Sequence, residues 1–131
     1  KYKYKDIIKR NHINQDLARY ELHRVWVVEA SVKPGTTHIY KKRTFYVDED
    51  TWQIVAVDNY DSRLTLWRVQ ETHFVMQYDK PYSNPVLESV YDLQSGRYLT
   101  QAMNNEETES IEKDYDVAFF DPSNVSKQAS K

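Results

Sequence analysis

The chain contains no cysteine and only two glycines in 131 residues. Without cysteine there is no disulfide framework, no thiol nucleophile and no thiolate zinc site. Two glycines cannot build a phosphate-cradling loop. No apolar run reaches the ~20 residues that span a bilayer. Charge of one sign is lacking too, since 18 basic residues stand against 20 acidic ones for a net charge of −2. That balance gives no electrostatic reason to expect nucleic acid or an anionic membrane surface. No apolar core follows the opening Lys-Tyr-Lys-Tyr-Lys, so no signal peptide is read in this chain. The chain begins without methionine and reads as a piece of something longer.

What is abundant is tyrosine, with 11 residues. Tyrosine favours pleated, half-buried surfaces. It also suits cavity walls, because its ring is apolar and its hydroxyl can find a partner. The mean hydropathy of −0.83 fits strands in which every second residue faces water. The length allows one domain with a core.

The pattern is mostly β. Residues 19–32 read as a first strand, with Leu22, Arg24, Trp26, Val28, Ala30 and Val32 on one face at period two. Pro34 and Gly35 fit the second and third positions of a type II turn. Further strands are expected over 38–47, 52–59 and 64–78. The last is so long that it must bend, twist or carry a bulge. Two prolines within 80–85 break the pattern. A final hairpin is expected over 86–93 and 97–103, turning at Gly96. Residues 7–18 are expected to form a short helix. Residues 104–116 are acidic, 115–120 form an apolar patch able to pack back on the sheet, and 122–131 form a frayed Ser- and Lys-rich tail. The whole is read as a single domain or domain fragment, divided at 1–18, 19–103 and 104–131.

Six strands in meander order leave two edges and one apolar face in need of cover. Closure into a barrel takes about eight strands. The sheet is therefore expected to be one wall of a larger domain, or to be completed by a second copy.

No catalytic motif is present. The four histidines have no paired metal-ligand spacing. Asp48-Glu49-Asp50 lacks the glycine and distal glutamate of a calcium loop and sits where a hairpin must turn. No serine lies in a nucleophile elbow. Neither a metal nor a cofactor is expected, nor an enzyme. The remaining candidates are the strand aromatics Trp26, Tyr40, Tyr46, Trp52, Tyr60, Trp67 and Phe74. On a closed sheet these are core residues. On a half-barrel they line a groove for acyl chains or another apolar ligand.

The segments HRVWVVEA, HIYKKRTFYVDEDTWQI and YDLQSGRYL resemble the C-terminal part of the bacterial family known as domain of unknown function 1329. The match runs over about 11–103. Members of that family are longer and carry a signal peptide. The family is in turn similar to outer-membrane lipoprotein carriers and receptors of the LolA/LolB type, whose fold is a curved antiparallel half-barrel over an apolar cavity. The resemblance implies a periplasmic protein that handles a lipid, a lipoprotein acyl chain or another hydrophobic molecule. A membrane exporter or a second copy is the partner implied by the alternative, an interaction module that docks by its edge strands and aromatics.

Overall fold

Alternation of aromatic and β-branched residues with polar ones drives the chain into six strands. These are β1 (Val25–Ser31), β2 (Lys42–Asp48), β3 (Ile54–Tyr60), β4 (Leu66–Gln77), β5 (Tyr82–Asp92) and β6 (Arg97–Gln101). Two helices flank them, α1 (Tyr4–Ile7) and α2 (Pro122–Ala129). The coordinates are a computed structural model that describes residues 2–107 and 114–129. The strands pair antiparallel in chain order, so the meander expectation holds. β1 and β6 are the two edges of one curved, unclosed sheet.

Both glycines turn the chain as expected, with φ of +78° at Gly35 and +68° at Gly96. β4 is long and carries a bulge at Trp67, where Asn59 pairs with Arg68 and Tyr60 with Leu66; β5 bulges in turn at Val86, between the His73–Leu87 and Phe74–Pro85 pairs, and each bulge bends the ladder. The first strand is shorter than expected. β1 starts at Val25 because its partner β2 ends opposite it, at Asp48. Leu22 and Arg24 therefore lie outside the ladder.

Residues 80–85 do not break the sheet at both prolines. Pro81 sits in the turn, but Pro85 lies inside β5, opposite Phe74 and next to the bulged Val86. β6 reaches along β5 only as far as Glu88. Pro85 is thus locally on an edge, where its missing N–H leaves no carbonyl without a donor.

The expected helix over 7–18 is also corrected. Only α1 is helical, and Ile8 then bridges Ile13 across a turn in which Asn11 has φ +70°. The apolar residues still do their packing. Ile7 and Ile13 are buried against Leu87, with Leu17, Ala18, Tyr98 and Met103 around them. This segment covers one face of β4–β6. A polar cluster ties it down. Glu71 accepts from the Tyr91 hydroxyl at 2.6 Å and the Tyr20 hydroxyl at 3.2 Å. Burial pushes the Glu71 carboxyl up, but His73 and the two hydroxyls outweigh it and hold it low. Burial and Glu71 together push the Tyr91 phenol up.

At the other end, residues 122–129 form α2 rather than a frayed tail. Asp121 Oδ1 accepts the Ser123 amide at 2.8 Å, and Pro122 occupies the first turn, where it loses no helix bond. Tyr115, Phe119 and Phe120 stack on one another, with centroids 4.0 Å apart for the first pair. Among the described residues the turn 117–120 packs on α2 and on no strand, so this patch is not seen to pack back on the sheet. The acidic run continues into 108–113, which lies outside the described residues.

The Asp48 turn joins β2 to β3. Asp48 Oδ1 accepts the Asp50 amide, the Thr51 amide and the Thr51 hydroxyl at 2.8–3.1 Å. Its Oδ2 lies 2.8 Å from His23 Nδ1, and His23 Nε2 lies 3.3 Å from Glu21. The Thr51 amide foremost holds the Asp48 carboxyl below its usual range. Glu21 foremost, then Asp48, raises the His23 imidazole.

Two outcomes follow. Ile13→Ala removes the best-buried contact of the N-terminal segment and is expected to cost about 2–4 kcal/mol in denaturant unfolding. The His23 pairing contributes stability below the unfolded histidine pKa of about 6.5. That contribution disappears as pH rises through the raised native value. An NMR titration of His23 is expected to show the raised value, with Glu21→Gln and Asp48→Asn each bringing it down.

Candidate functional site

Pairing and period two fix which residues share a face. Trp26 stands opposite Val47, Val28 opposite Phe45, and Ala30 opposite Arg43. Phe45 and Arg43 in turn stand opposite Val57 and Asn59 on β3. These positions make one continuous surface across β1–β3, apolar at the Trp26 end and cationic at Arg43. The N-terminal segment lies elsewhere, against Leu87 and Tyr98.

The surface carries two open depressions end to end along the β1–β2 ladder. The first is a trough of about 460 Å³ lined by Trp26, Val28, Val47 and Trp52. The second holds about 300 Å³ and is lined by Ala30, Val32, His38, Tyr40, Arg43 and Phe45, with parts of the adjoining loop. Trp26 is 56% exposed and Trp52 71%. Among the described residues, none closes over them.

Trp52 does not begin β3 as the periodicity implied. It sits in the turn at φ +59°, and its amide donates to the Asp48 carbonyl at 3.0 Å. A left-handed conformation costs a side chain with a Cβ roughly 1–2 kcal/mol. Here that strain accompanies an indole left in solvent at the trough, the kind of residue that functional sites hold.

The second depression is braced by a polar network. Tyr40 is buried and accepts from Arg68 Nη1 at 2.9 Å. Trp67 packs edge-on against it, with centroids 5.7 Å apart. Asp92 Oδ2 accepts from both Arg68 Nε and Trp67 Nε1 at 3.0 Å. The Ser95 amide foremost, then the Arg68 guanidinium, lowers the Asp92 carboxyl to about 2. Asp92 therefore stays ionised throughout the physiological range and keeps Arg68 neutralised.

The seven aromatics expected on one face are divided by the structure. Trp26 and Trp52 line the trough. Tyr40 lines the second depression, with Trp67 against it. Tyr46 and Tyr60 lie on the opposite face, because they are out of step with Phe45 and Val57. There Tyr46 donates to Asp58 at 2.8 Å and Tyr60 stacks under Lys42. Phe74 lies beyond the Val86 bulge of β5, opposite Pro85, and lines neither depression. Sequence reasoning named neither Phe45, Val47 nor Arg43 as a site residue. The signal was available at period two from Trp26, but the β1–β2 register was needed to carry it across strands.

His23, Asp48 and Asp50 bring three donor atoms within 4.8 Å of one another. Both Asp48 oxygens are already engaged, one in the turn and one with His23. Turn and ion-pair chemistry occupies these atoms; the sequence indicates the turn at Asp48-Glu49-Asp50 but not the His23 pairing. No helix among the described residues is long and apolar enough to cross a membrane.

Comparison with known proteins places these residues in context. A Pseudomonas aeruginosa protein described only as uncharacterized is 54% identical over 121 residues. That match covers 92% of this chain and 27% of the relative, so the chain spans about a quarter of that protein. Two solved structures share parts of the sheet. One is a Vibrio parahaemolyticus domain whose description names outer membrane lipoprotein sorting. It has a TM-score of 0.47 and 19% identity over 58% of this chain and 32% of that one. The other is a DUF1329 family protein from Desulfovibrio piger. Its TM-score is 0.47 at 18% identity, over 58% of this chain and 31% of that one. The model of the family "Protein of unknown function (DUF1329)" matches residues 1–126, and the chain belongs to that family.

Proposed function

We propose that this chain forms the apolar wall of a binding site for a hydrophobic molecule, in a periplasmic carrier that moves a lipid or an acyl chain. The observation that supports this reading is the uncovered Trp26–Val28–Val47–Trp52 trough. Soluble proteins rarely leave such a patch open without a use for it. Binding sites for apolar ligands are concave, mostly apolar and carry a few placed polar groups. The trough with Arg43 at its far end has that composition. Trp52 adds a second indication, since a strained and exposed indole contributes nothing to a core.

The interaction-module reading has its own support in β1. This strand pairs only with β2, so its other edge offers a row of N–H and C=O groups to an added strand. Val27, on the face away from the trough, is 60% exposed. Dimerisation that buries β1 and leaves the trough empty would favour it over the carrier reading.

Trp52→Gly separates binding from folding. Glycine accepts the positive φ, so stability is expected to stay unchanged or rise by up to about 1 kcal/mol. Affinity for a fluorescent acyl probe is expected to fall about tenfold or more, because an aromatic contact worth roughly 1.5–3 kcal/mol is lost. Unchanged probe affinity in a folded variant would contradict the carrier reading.

A further inference from the structure

Arg43 is half-buried on the trough face, opposite Ala30 and Asn59. Arg24, Lys42, Arg63 and Arg68 each pair with a carboxylate. Arg43 pairs with none among the described residues. Its guanidinium lies over the rings of Tyr40 and Phe45, 5.3 Å and 5.9 Å from their centroids. Those contacts orient the group, but they satisfy few of its five N–H donors.

Its remaining contact is with His38 and is of an unusual kind. The Tyr40 amide donates to His38 Nδ1 at 3.0 Å. A neutral imidazole has one accepting and one donating nitrogen, so the tautomer that keeps this bond carries its proton on Nε2. That Nε2 lies 3.3 Å from Arg43 Nη2. Arginine can only donate. Two donors therefore converge on one spot, and neither satisfies the other. An oxygen acceptor placed between them would satisfy both and neutralise the cation.

The spot adjoins the apolar trough. From Ala30 back to Trp26 the strand runs four residues, roughly 13 Å at ~3.3 Å per residue. Val28 and Phe45 line the way between them. We propose that Arg43 and His38 form the headgroup subsite for a carboxylate amphiphile whose chain lies along the Val28–Phe45 floor toward Trp26 and Trp52. One guanidinium and one neutral imidazole N–H match a single negative charge. They would leave the second charge of a phosphate monoester without a partner. This subsite rests on the carrier reading and adds to it the class of ligand.

The test is calorimetric titration of the protein as the cell makes it with laurate, lauryl phosphate and lauryl maltoside, which share one chain. Laurate is expected to bind about ten- to a hundredfold tighter than the maltoside, the range of a charge-assisted hydrogen bond. Arg43→Gln is expected to remove that advantage, so that laurate binds no tighter than the maltoside, while Arg43→Lys keeps part of it. Equal binding of laurate and maltoside by the unmodified protein would overturn the subsite and leave the carrier reading standing, even if the variants do not fold. Tighter binding of lauryl phosphate would overturn the choice of a carboxylate. Binding of none of the three would overturn the carrier reading itself.

Discussion

A β-sheet buries apolar surface only where something lies on it. Among the described residues the cover is one short segment, whose Ile7 and Ile13 press on Leu87 and whose Tyr20 joins Tyr91 of β5 on Glu71. It reaches one face of β4–β6. Everything else about the molecule depends on that allocation. The opposite face of β4–β6 is mixed, with Arg68, Gln70, Asp92 and Gln101 beside Val90 and an exposed Leu99. The corresponding face of β1–β3 carries Trp26, Val28, Phe45 and Val47, which the described residues leave at least partly in solvent, beside a buried Val57.

The two ends of the sheet thus do different physical work. The β4–β6 end is tied by charge and hydrogen bonds. Asp92 holds Arg68 and Trp67, and Arg68 holds Tyr40. These bonds keep the floor of the second depression in place beside the softer apolar surface. The β1–β3 end keeps its strained turn at Trp52 and its unneutralised Arg43. The strained turn costs free energy in the isolated chain, and a bound carboxylate amphiphile would neutralise Arg43. A strained and partly unsatisfied region next to a rigid one is the usual arrangement of a binding site on a scaffold.

Much of the scaffold was legible because local rules decided it. Gly35 and Gly96 had to turn the chain, the long β4 had to bulge, and acid-rich Asp48-Glu49-Asp50 had to close a hairpin. Where tertiary partners decided, the sequence was silent. Residues 7–18 have helix-compatible spacing, yet the contact with Leu87 and the left-handed Asn11 make them a hairpin-like turn. Pro85 stays in β5 because β6 is too short to need its amide, a fact no reading of Asn84-Pro85 alone contains. The site was half legible. Period two along β1 identified the Trp26–Val28 face. Placing Tyr46 and Tyr60 with it ignored that they alternate with Phe45 and Val57. Arg43 escaped notice because a lone arginine in a strand has no pattern. Its meaning comes from the His38 nitrogen beside it and from the missing carboxylate.

The central claim is that the β1–β3 face is covered in the cell by a hydrophobic molecule. Native mass spectrometry on the full-length protein, gently purified from its own host and followed by lipid extraction, tests this most directly. The account predicts a co-purified amphiphile in stoichiometric amount, lost when Trp26 and Trp52 are replaced by polar residues. A ligand-free protein under the same gentle conditions, with β1 buried against another chain, would contradict it.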